Sequence, residues 1–174
     1  MDAGPILASA ETVIEESETA NELHDRLAKI GPRVVADALE QFEHDQVPEG
    51  VSQDDTLATK APKLAKRDGM LDFAALTADI VHRIHGLWSW PGAYCRFVSA
   101  DGSRDEIVIL ARVAESAAPS ESLAPGFLDE RLHACTLDGA VEIVEIKPRS
   151  GKLMSWRDFI NGRRVKCGDR FIPA

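Results

Sequence analysis

Two groups of cations are the residues of this chain whose type and spacing could do chemistry. Lys60, Lys63, Lys66 and Arg67 fall within eight residues with no acid among them, and Arg163, Arg164 and Lys166 fall within four. Closely spaced ammonium and guanidinium groups position a phosphate backbone without reading its bases. A lone run of lysines is an ordinary solvated face, but here the surroundings are acidic. Residues 1–82 hold seven Lys/Arg against seventeen Asp/Glu, and the 174-residue chain has a formal charge of −9. Residues 147–174 reverse this, with eight basic side chains against only Asp158 and Asp169. Positive patches on an acidic body point to a polyanionic partner.

Other reactive types read as structural. His82 and His85 sit three apart on one helix, a spacing that could hold a metal. No cysteine or carboxylate cluster joins them, so they read as solvent or rim histidines and no metal is expected. Cys95, Cys135 and Cys167 are too widely spaced for a zinc knuckle or redox motif; they read as buried or free thiols in a reducing cytoplasm. No phosphate-binding glycine loop or nucleophile elbow is present. Asp2, ahead of Gly4-Pro5, reads as turn chemistry. No apolar run approaches the ~20 residues of a membrane helix, and the first residues carry no signal pattern, so no membrane partner is expected.

The elements that must position these groups follow from periodicity. Ile6 to Val13 reads as a strand. A helix opens at Ser17 or Thr19, where Thr19-x-x-Glu22 has capping-box spacing, and Leu23, Leu27, Ile30, Val34, Ala38 and Phe42 line one face of it. Pro32 predicts a kink or a split into two short helices. Residues 46–59 are rich in Pro, Gly, Ser and acids and read as a linker. Asp72 is placed to cap a second helix with a buried stripe of Leu76, Ile80, Ile84 and Leu87. Pro91-Gly92 then forces a turn.

From Ala93 the period becomes two. Ala93–Val98 and Glu106–Val113 read as strands around Asp101-Gly102, and Leu132–Leu137 and Val141–Lys147 as a hairpin around Asp138-Gly139. Residues 114–125 read as a loop. Ser155–Ile160 reads as a short helix that Asn161-Gly162 can close. The fold class is α+β, ending in a small open Greek-key barrel of oligonucleotide-binding type.

These residues carry a resemblance. Met1 to Leu7 resembles the Leu-Asp-x-Gly segment late in the formyltransferase catalytic domain, and Asn21 to Ala28 resembles that domain's last helix. Gln53 to Thr59 with Ala61-Pro62-Lys63-Leu64 looks like the interdomain linker of the methionyl-tRNA formyltransferase family. Trp90-Pro91-Gly92-Ala93, Met154-Ser155, Asn161 to Arg164 and Gly168-Asp169-Arg170 look like its C-terminal domain. Two departures stand out: Lys60 replaces the usual aromatic, and Phe73 stands where Trp is commoner. The resemblance implies a catalytic-domain remnant at 1–45, a linker at 46–70 and a C-terminal β-barrel domain at 71–174.

The resemblance also implies formyl transfer from 10-formyltetrahydrofolate to initiator methionyl-tRNA. Of the family's catalytic Asn, His and Asp only Asp2 has a counterpart, so a piece of a longer enzyme, inactive alone and holding no folate tightly, is expected. Contacts to tRNA are expected from Lys60, Lys63, Lys66, Arg67, Arg83, Arg163, Arg164 and Lys166. The expected partners are the tRNA, the missing catalytic domain and, through the exposed first helix, a second copy. Other folate-dependent formyltransferases or hydrolases, and a stand-alone RNA-binding module, are the rival readings.

Overall fold

The computed structural model describes residues 4–42, 49–117 and 123–174, and these divide into two units. The first unit comprises described residues up to Glu16 and from Asn21 to Lys63; the second comprises Ser17–Ala20 and Leu64–Ala174.

In the first unit, helix α1 (Ala20–Phe42) carries the predicted face. Leu23, Ile30, Val34 and Ala38 are half-buried, but no residue of the helix is fully buried, and Leu27 and Phe42 stay exposed. Of the two expectations at Pro32, a kink or a split, the split does not occur: the helix runs through the proline. A proline removes one donor and leaves the neighbouring ladder bonds to carry the helix. The expected strand at Ile6–Val13 does not form. Ile6 makes a single antiparallel bridge to Val51, and Arg26 instead holds the following chain through the Thr12 hydroxyl and the Val13 carbonyl. A strand needs a partner along its whole length, and here only one residue has one.

The second unit is an antiparallel barrel with two helices. Helix α2 (Thr77–Leu87) precedes strands β1 (Ala93–Val98), β2 (Asp105–Ser116), β3 (Ala134–Cys135), β4 (Ala140–Pro148) and β5 (Met154–Ser155), then helix α3 (Trp156–Arg163) and β6 (Arg170–Ile172). The hydrogen-bonded order is β3-β4-β2-β1-β6, with β5 against β4. Phe127 bridges Arg170 of β6 and Leu128 bridges Ala134 of β3, so the sheet curls until it nearly closes, where an open barrel was expected. Gly126 makes that closure possible: its φ is +86°, and a Cβ there would lie 2.2 Å from the Phe171 carbonyl oxygen.

Inward residues alternate along β1, with Ala93, Cys95 and Phe97 buried. On β2 the alternation breaks at Leu110-Ala111, both buried, where a bulge shifts the register against β4. The extra residue turns the parity of the strand, so Val113 rather than Arg112 faces the core. Phe73, Phe97, Phe159 and Phe171 meet at the centre with ring centroids 5.3 to 5.7 Å apart. Each such fully buried side chain contributes about 1.5–3 kcal/mol of transfer free energy.

Several boundaries differ from expectation. Strand β2 runs on to Ser116 into the supposed loop, of which residues 118–122 lie outside the described residues. Only Ala134 and Cys135 of the Leu132–Leu137 run form strand: Leu132 takes φ +62° at one end, and at the other the Thr136 N–H turns to Gly139 O and the Leu137 N–H to Ala75 O. Asp72 does not cap α2. Its Oδ1 accepts the Ala74 N–H, and Leu76 is exposed rather than core. Helix α3 passes through Asn161-Gly162 and ends on Arg164, which itself adopts the left-handed conformation at φ 57°.

Candidate functional site: two cationic ends of the barrel

Strand β1 runs between the two cationic groups of the second unit. At its start, the 3-10 turn Lys66–Gly69 packs so closely that a Cβ on Gly69 would meet the Gly92 carbonyl oxygen at 2.1 Å. The Leu71 N–H donates to Tyr94 O at 2.8 Å, which fixes the turn against β1. Asp68 Oδ2 accepts the Ala65 N–H at 2.7 Å, and Arg83 of α2 donates to the Asp68 carbonyl. Lys66, Arg67 and Arg83 are thereby gathered, all exposed, beside an open groove lined by Leu64, Asp68, His82, Arg83, Gly86 and Leu87. Lys60 and Lys63 belong to the first unit and are likewise exposed.

Past the other end of β1 lies the second group. Asp169, buried, accepts the Ala100 N–H at 2.8 Å through Oδ1 and the Lys166 N–H at 2.9 Å through Oδ2, tying the loop after α3 to the β1–β2 turn. Arg164 and Lys166 are exposed there. The Asp101 carboxyl, held below its ordinary range chiefly by the hydroxyl and amide of Ser103, also feels Lys166. Arg163 is different: it is half-buried and paired with Glu106. Arg149, absent from the expected set, joins this end because its N–H donates to Ile107 O at 2.9 Å. It lines a groove with Glu106, Ile107 and Arg163. The local sequence Pro-Arg-Ser-Gly gives no sign of this; β2–β4 pairing brings it there.

The two groups do not merge into one patch. Roughly 17 Å of strand separates them at ~3.3 Å per residue. Arg96 lies between, its charge committed to Asp105 through Nε at 3.0 Å and a second bond from Nη2.

The histidine pair does not form a metal site. His82 is exposed, whereas His85 is buried rather than at the rim, and its Nε2 accepts the Val113 N–H at 3.3 Å. β1 stops pairing with β2 at Leu110, so the next turn of β2 turns its free edge to α2, and His85 satisfies it. Among the described residues no group of three potential metal ligands occurs. Cys95 and Cys135 are buried and Cys167 is exposed, all as free thiols. Asp2 lies outside the described residues.

Residues 63–164 match the family described as formyl transferase, C-terminal domain. A methionyl-tRNA formyltransferase of Gluconobacter oxydans is 34% identical over 173 residues, covering 99% of this chain and 53% of that protein. One of Jannaschia sp. is 34% identical over 171 residues, covering 97% and 52%. The chain thus spans about half the length of these curated relatives, over their C-terminal half. Among solved structures, HypX from Aquifex aeolicus in complex with tetrahydrofolic acid superposes with a TM-score of 0.62. At 20% identity it covers 95% of this chain and 29% of that one, a likeness of fold. No helix among the described residues is long and apolar enough to cross a membrane.

Proposed function

The chain belongs to the formyl transferase C-terminal domain family, and from that premise we propose that it is the tRNA-docking half of a methionyl-tRNA formyltransferase. The enzyme containing it transfers a formyl group from 10-formyltetrahydrofolate to initiator methionyl-tRNA during translation initiation in the cytoplasm. The observation that carries the docking role is the pair of exposed cationic groups at the two ends of β1 on an otherwise acidic chain. Lys66, Arg67 and Arg83 would grip the backbone at one point, and Arg149, Arg164 and Lys166 at another. Lys60 and Lys63 add contacts from the linker, and Asp2 would belong to the proton-transfer machinery.

A docking module has no need of an oxyanion donor, and these residues alone should bind tRNA without transferring formyl. Titration of the 174-residue chain with initiator tRNA across a salt series tests this. Each phosphate contact should cost roughly 0.7–0.9 log units of affinity per log unit of salt. Affinity that ignores salt, or no binding at low salt, overturns the docking role. Turnover with formylfolate and charged tRNA overturns the inactivity.

A further inference from the structure

The turn joining α2 to β1 exposes Trp90, with 57% of its surface open to solvent. A large aromatic side chain in that state is costly to leave uncovered, and the turn that carries it adjoins the first cationic group. The Gly92 N–H donates to Leu87 O at 3.0 Å, and Leu87 lines the groove that also holds His82 and Arg83. Gly92 in turn abuts Gly69, at the end of the Lys66-Arg67 turn. The tryptophan, the groove and three cations therefore share one end of the barrel. Trp90 is not needed for the core: the indole that fills it is Trp156, buried and stacked on Phe159, with its Nε1–H donated to Leu132 O at 3.2 Å.

We propose that Trp90 is a stacking platform for an unpaired base of the RNA whose backbone Lys66, Arg67 and Arg83 hold. An indole face beside phosphate-binding cations is the combination that captures single-stranded nucleic acid, since every base has a π-face and the charges bring it within reach. A base in a duplex offers no free face, so the site takes single-stranded or splayed nucleotides. The proposal rests on the tRNA-docking reading and adds to it a contact with a base rather than a phosphate.

The test compares wild type, Trp90→Ala and Trp90→Phe against initiator tRNA and against a blunt, fully paired RNA duplex, over a salt series. Trp90→Ala should lose about tenfold in tRNA affinity, Trp90→Phe should recover most of it, and duplex affinity should be unchanged. The salt slope should stay that of wild type, because no phosphate contact is removed, and the thermal midpoint should not move. Equal loss on duplex and tRNA, or no loss on tRNA, overturns the stacking role while salt-dependent wild-type binding leaves docking standing. Absence of any wild-type binding overturns both.

Discussion

Arg163 donates from Nε and Nη2 to the two carboxylate oxygens of Glu106 at 2.9 and 3.3 Å, while its guanidinium lies 5.1 Å from the centre of the Phe159 ring. The pair joins the end of α3 to the start of β2, and Glu106 holds the Arg163 pKa above its ordinary value. A cation so engaged is a poor phosphate ligand until its partner is removed. Glu106→Gln should therefore strengthen tRNA binding and steepen the salt slope by up to about 0.9, one further contact. Arg164→Ala should weaken binding more than Arg163→Ala. Titrations at four salt concentrations check both, and a Glu106→Gln variant that binds less well would count against the idea.

Thr77 opens α2 by reaching across to the β3–β4 hairpin. Its hydroxyl lies 2.6 Å from that of Thr136 and donates to Asp138 Oδ1 at 2.8 Å, and its N–H donates to the same oxygen at 2.8 Å. Thr77→Val keeps the shape but removes the hydroxyl bonds to Thr136 and Asp138, so it should cost about 1–3 kcal/mol in urea unfolding.

The same node predicts a pH response. Asp138 has its pKa lowered, chiefly by the Thr77 N–H and then by the Thr77 hydroxyl. A carboxyl whose folded pKa lies below its unfolded value adds stability above the unfolded value, near 3.8, and loses it as pH falls through the folded one. Unfolding midpoints should drop as the solution is acidified below about pH 4, and Asp138→Asn should flatten part of that drop.

His85→Leu should leave the Val113 N–H without an acceptor and destabilise the barrel by about 1–3 kcal/mol. Zinc should not raise the thermal midpoint of the wild type, since His85 Nε2 already serves the backbone. Calorimetry with and without the metal measures both.

Gly126→Ala should be among the most damaging single changes, costing about 2 kcal/mol or more. It sets a side chain at φ +86° against the Phe171 carbonyl, at the seam where β6 meets β3. Thiol labelling offers a second view of the same closure: Cys167 should react at once, and Cys135 and Cys95 only on unfolding. Burial pushes both buried thiols up in pKa. Gly126→Ala should speed their labelling.

Local pattern carried much of the fold. The range of β1 was legible because apolar residues alternate from Ala93 to Val98, and α3 because Ser155 caps it: its side chain accepts the Asp158 N–H. Dipeptide rules told only part where a distant partner also acted. Asp138-Gly139 reads as a hairpin turn, and β3 and β4 do pair around it through the four residues Thr136–Gly139, but Asp138 also serves α2, sixty-one positions away in sequence. Asp72 reads as the cap of α2, and Asp138 took its role. His85 reads as a surface histidine because periodicity cannot see that β1 stops short of Val113 and leaves an edge to be met.

By itself, then, the sequence determined most of the helices and strands, the cations and the family text, since these depend on residue type and on neighbours a few positions apart. The tertiary structure alone decided which cations are free. Glu106 meets Arg163 and Asp105 meets Arg96 only through strand pairing and helix docking, while Arg149 is carried to Arg163 by β4. It also decided that the charges form two ends rather than one patch, and that Trp90 stands outside the core while Trp156 fills it. Charge and ring stacking act through space over a few ångströms, and spacing along the chain does not record that distance.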